Sequence, residues 1–115
     1  MLKKKSRIVA LIPARQGSER VKNKNIVKLF NLPLLAHTII AAKKCKIFDK
    51  IILSTDSRKY ANIGKRFGAE TPFLRPKKIS GSYSPDYDWV KYTLKRLKKD
   101  GNDFPHFFLL RPTSP

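Results

Sequence analysis

Hydrophobic residues along this chain fall into short unbroken runs, separated by longer stretches with three- and four-residue spacing. That pattern predicts buried strands alternating with helices. The first run, Ile8-Val9-Ala10-Leu11-Ile12, stops at Pro13. It has no polar residue at alternate positions, so it predicts a strand covered on both faces, as in a parallel sheet. From residue 14 to residue 25 the period vanishes and the side chains turn polar and basic around Gly17, which predicts a loop of about a dozen residues. Pro33 fits the first turn of a helix with Leu35, Ile39 and Ala42 on its apolar side and Leu34, Thr38, Ala41 and Cys45 on the adjoining stripe. Residues 50–55 read as a second buried strand. Asp56-Ser57 then offers an N-cap, with Asp56 the preferred capping side chain, to a helix carrying Tyr60, Ile63 and Phe67 inward and ending at Gly68.

The second half repeats the scheme. Residues 70–74 predict a weaker third strand, and residues 75–83 a basic loop containing Gly and Ser. Ser84-Pro85-Asp86 combines a cap, a first-turn proline and an acid. The helix they open has Tyr87, Val90, Leu94 and Leu97 as its stripe and Gly101 as its end. Residues 107–110 predict a last strand, followed by Arg111-Pro112-Thr113-Ser114-Pro115. Alternating strands and helices imply an α/β fold: a mainly parallel sheet built from right-handed crossovers, with helices on both faces. Residues 1–115 read as one domain. Ligands in such sheets bind beyond the carboxyl ends of the strands, where residues 14–25, 55–57 and 111–115 all lie.

Composition places the chain among globular proteins, with 41% hydrophobic and 30% charged residues. No apolar run approaches the roughly eighteen residues of a spanning helix, so neither a signal peptide nor a membrane anchor is predicted. The single cysteine, Cys45, has no partner for a disulfide or a thiolate zinc cluster, and a reducing, cytoplasmic setting follows. Charge is the least ordinary feature. Lys and Arg number 26 against 8 Asp and Glu, a formal net charge of +18, which calls for an anionic partner: nucleic acid, a polyphosphate nucleotide or an acidic sugar. Many of the lysines sit where solvated helix faces and helix C-termini favour them, among them Lys43, Lys44, Lys46, Lys91, Lys95, Lys98 and Lys99.

The loop at residues 14–25 carries Arg15, Arg20, Lys22 and Lys24 around Gly17, the residue types of a turn whose backbone amides close on phosphate. It lacks the spacing of a P-loop or a dinucleotide fingerprint. By chemistry alone it is either a phosphate cradle or a solvated basic loop. His37 and His106 have no metal-ligand spacing and read as structural. Trp89 and Tyr92 read as packing or partner surface rather than as a nucleobase platform.

Leu11-Ile12-Pro13-Ala14-Arg15-Gln16-Gly17-Ser18-Glu19-Arg20, followed by Lys24-Asn25, resembles the opening signature of the acylneuraminate cytidylyltransferase family, whose members make CMP-activated nonulosonic acids. Leu34-Leu35-Ala36-His37-Thr38-Ile39, Ile52-Leu53-Ser54-Thr55-Asp56, Phe67-Gly68-Ala69, Leu74-Arg75-Pro76 and residues 109–115 match further segments in order. Synthetases that activate a deoxyoctulosonic acid share the first motif but have an acidic segment in place of Arg111-Pro112-Thr113-Ser114-Pro115, which favours the sialic-type branch. The resemblance implies a three-layer, Rossmann-like fold of the nucleotide-diphospho-sugar transferase type. It implies attack of the sugar's anomeric hydroxyl on the α-phosphorus of CTP, with release of pyrophosphate.

Carried over residue by residue, the resemblance gives Arg15 and Lys24 the triphosphate and the catalytic role, with the backbone at Ala14, Gly17 and Ser18 wrapping the phosphates. Asn25 would contact the nucleotide near its ribose or base. Arg75, Ser84 and Asp86 align with the segment that reads cytosine, although Asp86 stands where a small hydroxyl residue is usual. Arg111 replaces a more familiar glutamine near the incoming sugar and offers a cation to its carboxylate. No acid pair in this chain looks like a magnesium site; the resemblance implies Mg2+ with its ligands beyond Pro115, in a longer cytidylyltransferase domain that forms a homodimer. The partners are then CTP and an acidic nine-carbon sugar. A basic nucleic-acid-binding module would account for the charge but leave the motifs unexplained, and no helix-turn-helix, zinc-finger or RNA-recognition signature accompanies it. An inactive nucleotide-binding remnant of the same fold is the third reading.

Overall fold

A computed structural model describes residues 7–14, 28–29, 32–76 and 86–111. Their order is β1 (Ile8–Pro13), β2 (Lys28–Leu29), β3 (Leu32–Pro33), α1 (Leu34–Cys45), β4 (Lys50–Ser54), α2 (Arg58–Phe67), α3 (Asp86–Lys99) and β5 (His106–Leu109). β4, β1 and β5 form a parallel sheet in that order, with Ala10 opposite both Ile51 and Phe108. The fold is α/β, as the alternation predicts.

The run at the start of the chain is apolar throughout because both of its faces are covered. Ala10 and Ile12 point to one side with Ile51 and Leu53, where they pack with Leu35 and Ile39 of α1 and Tyr60 of α2. Val9, Leu11 and Ile52 point to the other side, with Trp89 and Leu97 of α3 and with Phe104. Helices therefore lie on both faces of the sheet, giving three layers. α2 comes very close to the sheet: a Cβ on Gly64 would stand 2.7 Å from a methyl of Leu53, so the helix sits down only because this position has no side chain. Gly68 ends the same helix at φ 110°, a conformation that glycine adopts without strain.

Several boundaries depart from the sequence pattern. Pro33 closes β3 and takes the N-cap position at φ −56°, ψ 145°, so α1 starts one residue later than its apolar period suggests. The short antiparallel pair β2–β3 carries no strand signature in the sequence, because two-residue strands are too brief to show a period. The expected strand at residues 70–74 shrinks to one parallel bridge between Ile52 and Glu70, held by Leu53 N–H to Glu70 O at 2.8 Å and Glu70 N–H to Ile51 O at 2.9 Å. Pro72 has no N–H to continue the ladder.

α3 is rotated from the expected stripe. Its buried residues are Trp89, Thr93 and Leu97, and Val90 and Leu94 are only partly covered. Tyr87 is 68% exposed, with the Lys91 ammonium 5.3 Å from its ring centroid. Burying the indole removes more apolar surface from water than burying Tyr87 would, and that sets the rotation. Trp89 is thus a packing residue, as its helical position predicts; Tyr92 meets Phe73 edge-on at 5.6 Å. Among the described residues no helix is long and apolar enough to cross a membrane.

Candidate active site

The strand order places β1 in the centre, with the chain going first to β4 on one side and later to β5 on the other. That reversal makes the carboxyl end of β1 a topological switch point, where a crevice opens in parallel α/β sheets. β1 ends there at Pro13, and Ala14 follows it.

The exit is tightly fixed. Ala14 is buried, and its N–H donates to Ser54 O at 2.9 Å. Its carbonyl accepts from the Thr55 hydroxyl at 2.6 Å, and the same hydroxyl oxygen accepts from Ser57 N–H at 3.1 Å. Thr55 is wholly buried, so one side chain fastens the ends of β1 and β4 to the start of α2. Ser57 caps α2, its Oγ accepting from Tyr60 N–H at 3.1 Å. The cap is therefore Ser57 and not Asp56, because the Thr55 bond turns the backbone so that Ser57 is the last extended residue, at φ −112°, ψ 121°. Thr55→Val keeps the shape but strips both bonds and leaves a buried carbonyl and amide unsatisfied. It is expected to lower unfolding free energy by about 2–3 kcal/mol, read as a fall in denaturant midpoint at unchanged slope.

Arg75, 5% exposed, is drawn under the end of β4. Its Nε donates to Ser54 Oγ at 3.0 Å, its Nη2 to Ser54 O at 3.2 Å, and its backbone N–H to Thr55 O at 2.8 Å. The guanidinium carbon lies 5.0 Å from the centroid of the Trp89 ring. The indole Nε1 donates to Asp86 Oδ1 at 2.9 Å, and Asp86 Oδ2 accepts from Arg111 Nη2. Arg111 stands just past β5, where Leu110 N–H donates to Leu11 O at 3.0 Å.

Three predicted site residues, Arg75, Asp86 and Arg111, are thus joined through Trp89 into one chain of contacts. It runs from the end of β4 across the first turn of α3 to the end of β5. Ala14 joins this chain of contacts at Ser54, whose carbonyl serves both Ala14 and Arg75. Arg15, Gly17, Ser18, Lys24, Asn25 and Ser84 lie outside the described residues. Sequence reasoning missed the anchoring by Ser54 and Thr55 and the linking position of Trp89. The signal available was a Ser-Thr pair directly at a strand end and a tryptophan one turn inside a helix that starts with an acid. Among the described residues no group of three His, Cys, Asp or Glu side chains could hold a metal ion, so these residues do not fit a divalent-metal site.

A family model described as cytidylyltransferase matches residues 9–97, a span that begins in β1, ends in α3 and takes in Ala14, Arg75 and Asp86. The chain belongs to the cytidylyltransferase family. It is 39% identical over 111 residues to an N-acylneuraminate cytidylyltransferase of Escherichia coli O18:K1:H7, covering 96% of this chain and 25% of that protein. It is 38% identical over 109 residues to a CMP-N,N'-diacetyllegionaminic acid synthase of Legionella pneumophila, covering 95% of this chain and 47% of that one. The chain therefore spans about a quarter to a half of the length of these relatives. A solved CMP:2-keto-3-deoxy-manno-octonic acid synthetase complexed with CTP superposes with a TM-score of 0.71 over 96% of this chain and 42% of that one, at 20% identity. The likeness shows that the cytidylyltransferase chain shares that protein's Rossmann-like fold.

Proposed function

We propose that the protein carrying this chain is a nucleotidyltransferase that moves CMP from CTP to the anomeric hydroxyl of an acylneuraminate-type acid, and that residues 1–115 supply the nucleotide half of its site. The sugar oxygen bonds to the α-phosphorus, the bond from that phosphorus to the bridging oxygen of the β-phosphate breaks, and pyrophosphate leaves. The observation that carries this reading is the family match over residues 9–97, on a sheet whose switch point lies at the end of β1. The named activities of the two curated relatives support the class of sugar.

The reaction needs no nucleophilic side chain, only positioning and neutralisation of charge at the transferring phosphoryl group. Arg15 and Lys24 are the residues assigned to that work, with the backbone of Ala14, Gly17 and Ser18 around the phosphates and Asn25 on the nucleoside. The fixed exit at Ala14 supports this assignment, since a loop that must close on a triphosphate gains from a rigid root. Arg75 and Ser84 are assigned to the cytosine side and Arg111 to the sugar; Asp86, which the resemblance aligns with the cytosine segment, has both carboxylate oxygens engaged by Arg111 and the Trp89 indole and is not assigned to the base. A divalent ion would screen the triphosphate; the residues described here give it no ligand set, and no step is routed through it.

The test is competition. The intact protein is expected to bind CTP saturably, in preference to ATP and to mixed-sequence oligonucleotides, and to release pyrophosphate from CTP only when an acidic nine-carbon sugar is present. Preference for oligonucleotides would overturn the reading in favour of a nucleic-acid-binding module; CTP binding without turnover would leave a nucleotide-binding remnant.

A further inference from the structure

Asp86 and Arg111 are 25 positions apart and meet where α3 begins and β5 ends. The carboxylate is shared: one oxygen takes Arg111 Nη2 and the other takes the Trp89 indole N–H at 2.9 Å. Both charged side chains are about half exposed, 45% for Asp86 and 52% for Arg111, and exposed pairs of this kind add little to stability. The pair is therefore poorly explained as a fastener of the fold.

Its geometry suits another task. A guanidinium carries five N–H donors in one rigid plane, so a carboxylate that holds one of its nitrogens also restricts where the remaining donors point. Asp86 is well placed to do this, because it sits in the first turn of α3, where the helix dipole favours an acid, and is anchored on its other oxygen by a buried ring. Trp89 is in turn covered by Arg75, which is tied to β4. The direction of Arg111 is thus referred back to the sheet.

Resting on the function proposed above, we propose that Asp86 is a positioning residue for Arg111, holding its remaining N–H donors toward the carboxylate of the incoming sugar. The pair is neutral as a unit. It therefore offers directed donors rather than an unshared positive charge, which would attract the triphosphate as readily as the sugar. Holding the arginine in place before binding also removes the ordering of a long side chain from the binding step.

The experiment measures pyrophosphate release by the intact protein with CTP and N-acetylneuraminate, varying each in turn. Asp86→Asn keeps an oxygen for Trp89 but removes the charge. It is expected to raise the KM for the sugar about tenfold while the KM for CTP stays within about twofold. Arg111→Gln is expected to do the same, and the double variant to be no worse than Arg111→Gln alone, as two residues acting through one contact require. Asp86→Glu should recover part of the loss. Multiplied effects in the double variant, an equal rise in the KM for CTP, or a lowered unfolding temperature with both KM values unchanged would overturn the positioning role while leaving the transferase reading intact. A wild-type protein that binds neither CTP nor the sugar would overturn both.

Discussion

Trp89→Ala is expected to lower unfolding free energy by about 3–5 kcal/mol, measured by circular dichroism in a denaturant titration of the intact protein. The indole is 2% exposed and fills the layer between α3 and the Val9, Leu11 and Ile52 side of the sheet. Its loss opens a cavity, removes the face on which Arg75 lies and leaves one oxygen of Asp86 without its donor. For a small domain with about 5–15 kcal/mol of stability in total, that is a large fraction. Trp89→Phe separates the contributions: it retains most of the packing, loses the N–H bond, and is expected to cost only about 1–2 kcal/mol. If the two variants were equally stable, Trp89 would not be the packed link described here.

Arg15→Ala is expected to leave the fold unchanged and to lower kcat/KM for CTP about 100- to 1,000-fold, the usual consequence of removing one preorganised charge from a transferring phosphoryl group. The fold should tolerate it because the root of the loop is held by Ser54 and Thr55 through Ala14, independently of the arginine. Circular dichroism and the unfolding midpoint check the first part; steady-state pyrophosphate release checks the second. A variant with intact turnover would remove Arg15 from the catalytic assignment. Against Thr55→Val the contrast is diagnostic, since that substitution should act first on stability and reach CTP through the position of the loop.

These predictions draw on different parts of the chain. Arg15 was legible in the sequence as one of several cations in an aperiodic loop after a buried strand, and the motif around it resembled that of one family. Trp89 was legible only as a helical aromatic. Nothing in a local window says that an indole N–H will reach the acid three positions earlier while its ring carries an arginine from another segment. Arg111 was read as a cation awaiting a carboxylate. The structure gives it one from within the chain, Asp86, which recasts both residues as a coupled pair.

By itself the sequence determined what depends on neighbours along the chain. Unbroken apolar runs gave β1 and β4, three- and four-residue spacing gave α1 and α2, and Gly68 gave a helix end, because burial on two faces, helical periodicity and left-handed backbone each leave a local trace. The tertiary structure alone decided the order β4-β1-β5, the face α3 turns inward, the reduction of residues 70–74 to a single bridge, the choice of Ser57 over Asp56 as the cap, and the meeting of Asp86 with Arg111. Each of these depends on which surfaces compete for the same partner across long sequence separations. The outcome is fixed by total apolar area buried and by which polar groups can be satisfied together, quantities that exist only once the layers have assembled.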